Sequence, residues 1–505
     1  MKLRNKSVIS VAFRAFCLVL AFVMLFGLTS CKKAVDPTER FCSVLKNTVN
    51  ECLESGKTVA EHTPRDFSSK KITLKPVLSE AFTTAIGANA PFDLSFLNDA
   101  AIELILAKDG AIAKLVASIL LDNSALLTAD GVIDTETLVA YASLSPVSKS
   151  ALKIDIAELL KEEEIELPSV SNTAPELPYE ELKAVFTEYF DAILAKVSAV
   201  KEGEGSLSAG EMTAETVTLT WSLTEKAFLD MAAELADKLA ADDKVKNIFI
   251  DSFKGTEENY ADFVDEIKEF SSTVKEIAAE SSVEGDCFIA VLHVNKDNEL
   301  LGLQFKVNDP ENNFSEYACA ELVCIENEGV HEGRVLVSSV EEAPVKITFS
   351  GSETKGVASG KIAFAYDGKE VFSIKYSDLD TKKAEDGSLN GSFIIKPGAG
   401  LGSIIDVDAM TATMLGMLEL KFGIVEQDKS TEVDISLLMN GAVFVGIKTT
   451  VENVDDVTVA VPADFETDPY DWIADFDFVK LVETVENSSL PAEIKQLILG
   501  LFDFK

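Results

Sequence analysis

The chain has 505 residues, of which 47% are hydrophobic and 30 are phenylalanine, and its formal net charge is −40. This apolar content suffices for two or three domains with real cores, and it excludes a disordered acidic tail. The negative charge repels phosphate backbones, so we expect no nucleic-acid partner.

The first 30 residues have the pattern of a signal peptide. They contain four basic and no acidic residues, and their apolar run, Ala15 to Leu28, is short for a membrane span. The run ends in Leu28-Thr29-Ser30-Cys31, which resembles a bacterial lipoprotein lipobox. The resemblance implies cleavage before Cys31, diacylglycerol on its thiol, and a protein held on the extracytoplasmic side of a membrane. The alternative is an uncleaved anchor at 15–28 with Cys31 incidental.

The mature chain after residue 30 is more acidic still, with 41 Lys and Arg against 85 Asp and Glu, a net charge of −44. We interpret this charge mainly as a solubilising surface that keeps a tethered protein away from anionic lipid, and a cationic partner is the alternative. Residues 31–39 are predicted to be the tether.

A mixed N-terminal unit is predicted over 40–165. Apolar residues at helical spacing from Phe41 to Leu53 predict a first helix. Two Ala/Leu-rich stretches also read as helical, and two short pieces read as strands. The helical stretches are Leu97–Leu106 and Ile112–Leu121, and the strand-like pieces are Ile72–Leu74 and Thr137–Ala142.

A helical segment is predicted over 179–285, after an acidic, proline-containing boundary. An apolar stripe from Leu182 to Val197 predicts an amphipathic helix, and Gly203–Gly210 reads as a flexible linker. Two more helices are predicted over 228–239 and 260–277.

The apolar period changes from 3.6 to 2 near residue 285, which predicts an antiparallel meander of about eight to eleven strands over 286–465. The clearest strands are Leu418–Ile424 and Val433–Leu437, and Asn440-Gly441 favours a type I′ turn after the second. Two C-terminal helices are predicted over 466–505, the first from Trp472 to about Val485.

Ile72–Glu80 aligns without gaps on Val217–Glu225, 145 residues later. In each copy a strand-like triplet precedes Ser or Thr and Glu at the start of a helix. A duplicated unit and two unrelated junctions with the same capping chemistry both explain the match.

No catalytic constellation stands out. The three histidines lie outside any HExxH motif, and His293 reads as a core or edge histidine. Acid pairs such as Asp378/Asp380 and Asp406/Asp408 lack the calcium-loop pattern and read as solvated. Gly398–Gly402 reads as a flexible connection, because it matches no phosphate-binding motif. We therefore predict a non-enzymatic protein without metal or cofactor.

Five cysteines remain in the mature chain besides Cys31, an odd number that leaves at least one unpaired in a monomer. Cys287 could reach Cys319 or Cys324 across neighbouring strands. Most are predicted to be small buried hydrophobes.

The buried side of the meander provides the candidate site. Its apolar positions either pack tightly under the amphipathic helices as a core or line a cavity between sheet and helices. The putative ligand-facing residues are Phe372, Ile374, Tyr376, Phe393, Ile395, Leu420, Phe422, Ile424, Ile435 and Leu437.

The combination of a lipobox, amphipathic helices and a long meander resembles that of the lipoprotein-carrier (Lol-type) superfamily. The chain is also similar to uncharacterised lipoproteins of Gram-positive anaerobes over Tyr141–Asp155, Val217–Glu225 and Val294–Gly302. The resemblance implies an α+β fold in which a curved, half-barrel-like sheet is covered by helices and holds acyl chains. We accordingly expect a lipid-anchored protein that binds an apolar or lipid ligand. A structural or adhesive envelope protein with a filled core and protein partners is the alternative.

Overall fold

The structure is a computed structural model that describes residues 36–60, 69–87, 93–162, 178–252, 255–385, 389–405, 407–427, 429–454 and 457–501. It confirms the α+β class, with 45% of residues in strands and 34% in helices. The helices are α1 Pro37–Ala60, α2 Glu80–Gly87, α3 Ile156–Glu162, α4 Tyr179–Leu194, α5 Glu225–Ala240, α6 Asp243–Asn247, α7 Glu257–Glu280, α8 Thr381–Glu385, α9 Leu401–Ile404, α10 Ala409–Leu415, α11 Pro469–Ala474, α12 Phe478–Asn487 and α13 Ala492–Leu501.

Twenty strands are present in these ranges. They are β1 Ser69–Leu78, β2 Ala100–Asp109, β3 Ile112–Leu121, β4 Ser124–Asp134, β5 Val139–Ser145, β6 Ala151–Asp155, β7 Lys201–Ala209, β8 Met212–Leu223, β9 Phe288–Val294, β10 Leu300–Asp309, β11 Ser315–Asn327, β12 Val330–Ser339, β13 Val345–Thr354, β14 Val357–Tyr366, β15 Lys369–Asp380, β16 Gly391–Pro397, β17 Leu418–Glu426, β18 Ser430–Met439, β19 Ala442–Asn453 and β20 Phe465–Glu466.

All twenty strands belong to one curved, unclosed sheet. Its spatial order runs from β7 in sequence to β19, then through β1 to β6, and ends at β20. Neighbours are antiparallel except β6 and β20, which pair in parallel over two residues at one edge. The predicted meander is thus confirmed, with eleven strands from β9 to β19.

The N-terminal part extends this sheet, because β1 pairs with β19 and Ile72 lies opposite Val451. Residues 69–155 are mostly strand, which corrects the smaller helical or mixed N-terminal unit expected over 40–165. The helices predicted at Leu97–Leu106 and Ile112–Leu121 were wrong, since these segments form β2 and β3. Short runs of Ala and Leu are compatible with both the helical and the strand periodicity. Here the pairing with strands from other parts of the sequence makes these segments strands.

The predicted linker Gly203–Gly210 was also wrong, because it lies almost entirely within strand β7. Its glycines permit close contact with the next strand rather than flexibility. A Cβ on Gly205 would lie 2.6 Å from Thr218 Cγ2, and one on Gly203 would lie 2.9 Å from Thr218 Oγ1. Glycine marks such close approaches in strands as well as loops.

The main core lies between strands β8 to β11 and the helices α1, α4, α5 and α7. Phe288 of β9 is its aromatic centre, stacked on Phe228 of α5 with ring centroids 4.8 Å apart. The Thr224 and Thr256 side chains cap α5 and α7 by accepting hydrogen bonds from backbone N–H groups. Each fully buried Leu or Phe contributes roughly 1.5–3 kcal/mol, so this core fixes the helices on one face of the sheet.

A buried arginine fastens the start of α1 to this core. Arg40 is 7% exposed, and its Nε donates a hydrogen bond to Asn298 Oδ1 at 2.6 Å. Its Nη1 lies 3.1 Å from Glu202 Oε2, which supplies the opposite charge that a buried guanidinium requires. The chain leaving the predicted tether therefore joins the body beside the β9–β10 turn.

The C-terminal helix predicted from Trp472 to Val485 is two helices, α11 and α12, because Asp477 begins a new helix by capping Lys480 N–H. Helices α12 and α13 then pack against the β3–β4 tip, where Val485 and Leu490 bury Leu121. No helix within the described ranges is long and apolar enough to cross a membrane.

The two aligned junctions share their capping. Ser79 Oγ accepts a hydrogen bond from Phe82 N–H at the start of α2, and Thr224 Oγ1 accepts one from Ala227 N–H at the start of α5. Both explanations of the repeat predict this capping, so the choice between them stays open.

Candidate apolar binding face

The ten sequence-predicted ligand-facing residues lie on one face of strands β15 to β18. Phe393 pairs with Tyr376 on one side and with Phe422 on the other, and Phe422 pairs with Ile435. Directly paired residues project from the same side of an antiparallel sheet. A second row crosses the strands at Ile374, Ile395, Leu420 and Leu437.

The same side of the sheet stays apolar well beyond these ten residues, and we call it the apolar face. The register carries it across β19, β1, β2 and β3 without a change of side. Thirteen neighbouring strands, β13 to β19 and β1 to β6, span about 60 Å at the usual strand spacing. Its further members include Ile347, Phe349, Ile362, Phe364, Ile447, Ile72, Leu74, Ile102, Leu104, Leu115 and Ile119.

Much of this face is open to solvent. Ile435, Ile447, Ile102 and Ile119 are 41–50% exposed. None of the ten predicted residues belongs to a buried cluster of the described chain. A sheet face that contacts water normally carries polar side chains, and large continuous apolar surfaces are typical of interaction sites, so this face is the candidate binding surface.

The opposite face of the same strands carries ion pairs between neighbouring strands, beside some apolar residues such as Ile394 and Val116. Lys448 lies 2.7 Å from Glu432, Lys421 lies 3.2 Å from Asp434, and Lys114 lies 3.0 Å from Asp130. Ion pairs at a protein surface contribute little to stability, about 0–1 kcal/mol each. The two sides of the sheet therefore differ in chemistry.

The side chain of Tyr376 reaches across two glycines of the neighbouring strands on the apolar face. The Tyr376 hydroxyl lies over the paired Gly351 and Gly360, where an added Cβ would come within 2.5 Å of its oxygen. The same hydroxyl lies 3.3 Å from His331 Nε2, and burial raises the pKa of Tyr376 above its usual value. The Tyr376 hydroxyl and the His331 ring together form a polar site within the apolar face, which is able to orient the polar end of a ligand.

Within the described residues, the helix–sheet core does not include the ten residues, although the covered-sheet expectation placed them beneath the helices. The helix–sheet core is made with β8 to β11, and the C-terminal helices contact the β3–β4 tip. A cavity of about 720 Å³ lies beside that tip, lined by Leu126, Pro146 and Thr484 among others, and none of the ten residues lines it. Amphipathic periodicity identified the covering helices correctly, but it carries no information on which strands they cover.

The segment 398–417 between β16 and β17 packs tightly, which corrects the flexible connection predicted at Gly398–Gly402. Gly398 N–H donates to Val371 O, and Gly400 N–H donates to Glu370 O, both at 2.7 Å. A Cβ on Gly402 would lie 2.8 Å from Ala412 Cβ, so α9 and α10 also contact closely. These glycines serve close packing rather than flexibility.

Gly398→Ala is therefore expected to destabilise the protein by about 1–3 kcal/mol, the range for overpacking. The new Cβ would lie 2.2 Å from the Glu370 carbonyl oxygen, and backbone atoms yield little. Urea unfolding gives the change in free energy. Gly416→Ala is the control, since its Cβ would meet no atom closer than 3.5 Å. Equal midpoints for both variants would contradict this packing role.

The remaining candidate groups have structural roles. Asp408 caps α10 by accepting hydrogen bonds from Met410 and Thr411 N–H, which lowers its pKa. His293 is half-buried against Thr216 Oγ1, and burial lowers its pKa. The described residues hold no cluster of three or more His, Cys, Asp or Glu side chains suited to a metal ion.

The thiols of Cys287, Cys319 and Cys324 are free, so neither cross-strand pairing considered for Cys287 is formed. Burial raises the pKa of the Cys287 thiol to about 12 and those of Cys319 and Cys324 to about 11. Cys31 and His62 lie outside the described residues.

No protein-family model and no curated protein matches this chain. The functional interpretation is therefore based on the lipobox and on the geometry of the apolar face. Sequence reasoning missed the part of that face on β2 and β3, because Leu104, Ile105 and Leu106 are consecutive apolar residues that hide the strand alternation begun by Ile102 and Glu103.

Proposed function

We propose that this is a lipid-anchored, extracytoplasmic, non-catalytic protein that binds an apolar ligand, the acyl chains of a lipid, along its apolar face. The observation that carries the proposal is the continuous and partly exposed apolar surface, opposite a face occupied by ion pairs. Burial of apolar area contributes about 25 cal/mol per Å² to the free energy of binding. Contact with only part of the apolar face would therefore stabilise a bound acyl chain.

The predicted anchor supports the same ligand class. A diacylglycerol group on Cys31 would keep the protein beside a bilayer, where acyl chains are abundant. The described residues begin at Asp36, five residues after Cys31. Five residues span at most about 18 Å, so an anchor on Cys31 would hold Asp36 within that distance of the membrane surface. The resemblance to lipoprotein carriers implies the same ligand, although the apolar face here lies beside the helices rather than beneath them.

A protein partner on the same surface is the second candidate. Exposed apolar patches larger than a few hundred Å² also mark protein–protein interfaces, and the ten residues lie outside the helix–sheet core of the described chain, which leaves room for such a partner. The protein would then be a structural or adhesive component of the envelope.

Native mass spectrometry of the secreted mature chain tests the proposal. Cys31 is replaced by Ser in this experiment so that the anchor's own acyl chains are not counted. We expect at least one lipid to copurify and to be released on unfolding. A lipid-free chain that instead captures an envelope protein, and loses it when the apolar face is altered, would favour the second candidate.

A further inference from the structure

The segment 398–417 presents the most exposed methionines of the described chain, and we call it the methionine segment. It contains Met410, Met414 and Met417, three of only eight methionines in the protein. Met410 is 74% and Met414 is 59% exposed, and Ile404 and Ile405 beside them are also about half exposed. Methionine normally fills gaps in cores, so a cluster in solvent requires an explanation.

This segment is continuous with the apolar face. It leaves β16 after Pro397, which pairs with Phe372 on that face. It re-enters the sheet at Leu418, which pairs with the exposed Met439 on the same face. The Met417 carbonyl accepts a hydrogen bond from Asn440 N–H, so Met417 adjoins the same hairpin. The segment is therefore joined to the apolar face at both of its ends.

The exposed side chains are held in place by the packing of the segment. Helices α9 and α10 contact through Gly402 and Ala412, and Asp408 caps α10. Met410 and Met414 are one helical turn apart, so their side chains lie on one side of α10. The exposure of the methionines thus belongs to an ordered structure that is fixed to β15.

The composition of the segment favours hydrocarbon over a protein or an anionic surface. Residues 398–417 contain no Lys, Arg or aromatic residue. Protein interfaces are enriched in Met, but most of their binding hot spots are aromatic residues and Arg, which this segment lacks, and anionic headgroups attract basic side chains, which it also lacks. Unbranched methionine adapts to irregular apolar shapes, which suits a mobile acyl chain.

We propose that the methionine segment is the point at which acyl chains of an electrically neutral lipid enter and leave the apolar face. This inference rests on the proposed function, because it assigns a loading point to the same binding surface. It predicts an effect on the rate of loading and none on the amount bound at equilibrium.

The test uses the intact lipoprotein, held by its own anchor on phosphatidylcholine vesicles. Donor vesicles carry pyrene-labelled phosphatidylcholine, and energy transfer from protein tryptophan to pyrene reports the probe held by the protein. In Met410→Gln/Met414→Gln, uptake should slow roughly tenfold, equivalent to about 1.4 kcal/mol in the entry barrier, with an unchanged plateau. The control is Val330→Gln/Val357→Gln, which alters exposed apolar residues at the other end of the strands.

The two proposals fail in different ways. If energy transfer from the unaltered protein does not exceed that from Ile435→Lys/Ile447→Lys, in which the apolar face is altered, the proposed function fails and the loading point fails with it. If the unaltered protein loads and the methionine variant loads equally fast, only the loading point is wrong. A lower plateau without a slower rate would also overturn it, since the segment would then belong to the binding surface itself.

Discussion

Ile435→Lys/Ile447→Lys is expected to abolish lipid binding while leaving the protein folded. The two residues are direct partners on β18 and β19, in the middle of the apolar face, and both are exposed. A lysine held against hydrocarbon costs roughly 2.5–3.5 kcal/mol, so two should weaken binding more than a hundredfold. Exposed substitutions usually change stability by less than about 0.5 kcal/mol. Titration with a fluorescent lipid measures the affinity.

The matched control is Val425→Lys. Val425 is 49% exposed, similar to the two isoleucines, but it pairs with Glu432 on the ion-paired face. A lysine there joins existing charges and should leave lipid affinity unchanged. Equal losses in both variants would show that added charge, rather than the apolar face, controls binding, and urea unfolding of each variant verifies that it is folded.

Cys31→Ser is expected to eliminate lipidation completely. Each buried CH₂ contributes about 0.8 kcal/mol to membrane binding, and two acyl chains hold a protein stably whereas one does not. With a net charge of −44 after residue 30, the unlipidated chain has no electrostatic attraction to anionic lipid. Metabolic labelling with a fatty-acid analogue should therefore mark the unaltered protein and not the variant.

Membrane retention is measured in a second form, in which a cleavable secretory signal replaces residues 1–30 so that no apolar segment remains at the N-terminus. Because Leu28, Thr29 and Ser30 of the lipobox are removed with residues 1–30, this form is not lipidated, and with the Cys31→Ser substitution it should be recovered in the soluble fraction. In the labelling experiment, Cys42→Ser is the control and should keep its label. Label that persists in Cys31→Ser, or none in the unaltered protein, would favour the uncleaved anchor at 15–28.

The local features of the meander could be predicted because each depends on neighbouring residues. The alternation in Leu418–Ile424 and Val433–Leu437 set their faces, and the observed register pairs Phe422 with Ile435. Asn440 and Gly441 have φ of 53° and 79°, the two positive values that a type I′ turn requires.

The long-range features could not be predicted. Pairing of β1 with β19 joins residues more than 350 positions apart, and nothing in either strand specifies that partner. The position of the helices was equally undetermined, because an apolar stripe such as that of α4 fits any apolar sheet surface. The sequence therefore predicted that a large apolar face exists, but not that part of it lies beside the helices in the open.

Photo-crosslinking with a phosphatidylcholine that carries a diazirine in its acyl chain tests the central claim most directly. After irradiation and proteolysis, mass spectrometry identifies the modified residues. We predict crosslinks on apolar-face residues such as Phe393, Phe422 and Ile447, in competition with unlabelled lipid. Crosslinks confined to the ion-paired face, for example around Lys448 and Val425, or labelling that unlabelled lipid does not reduce, would contradict lipid binding along the apolar face.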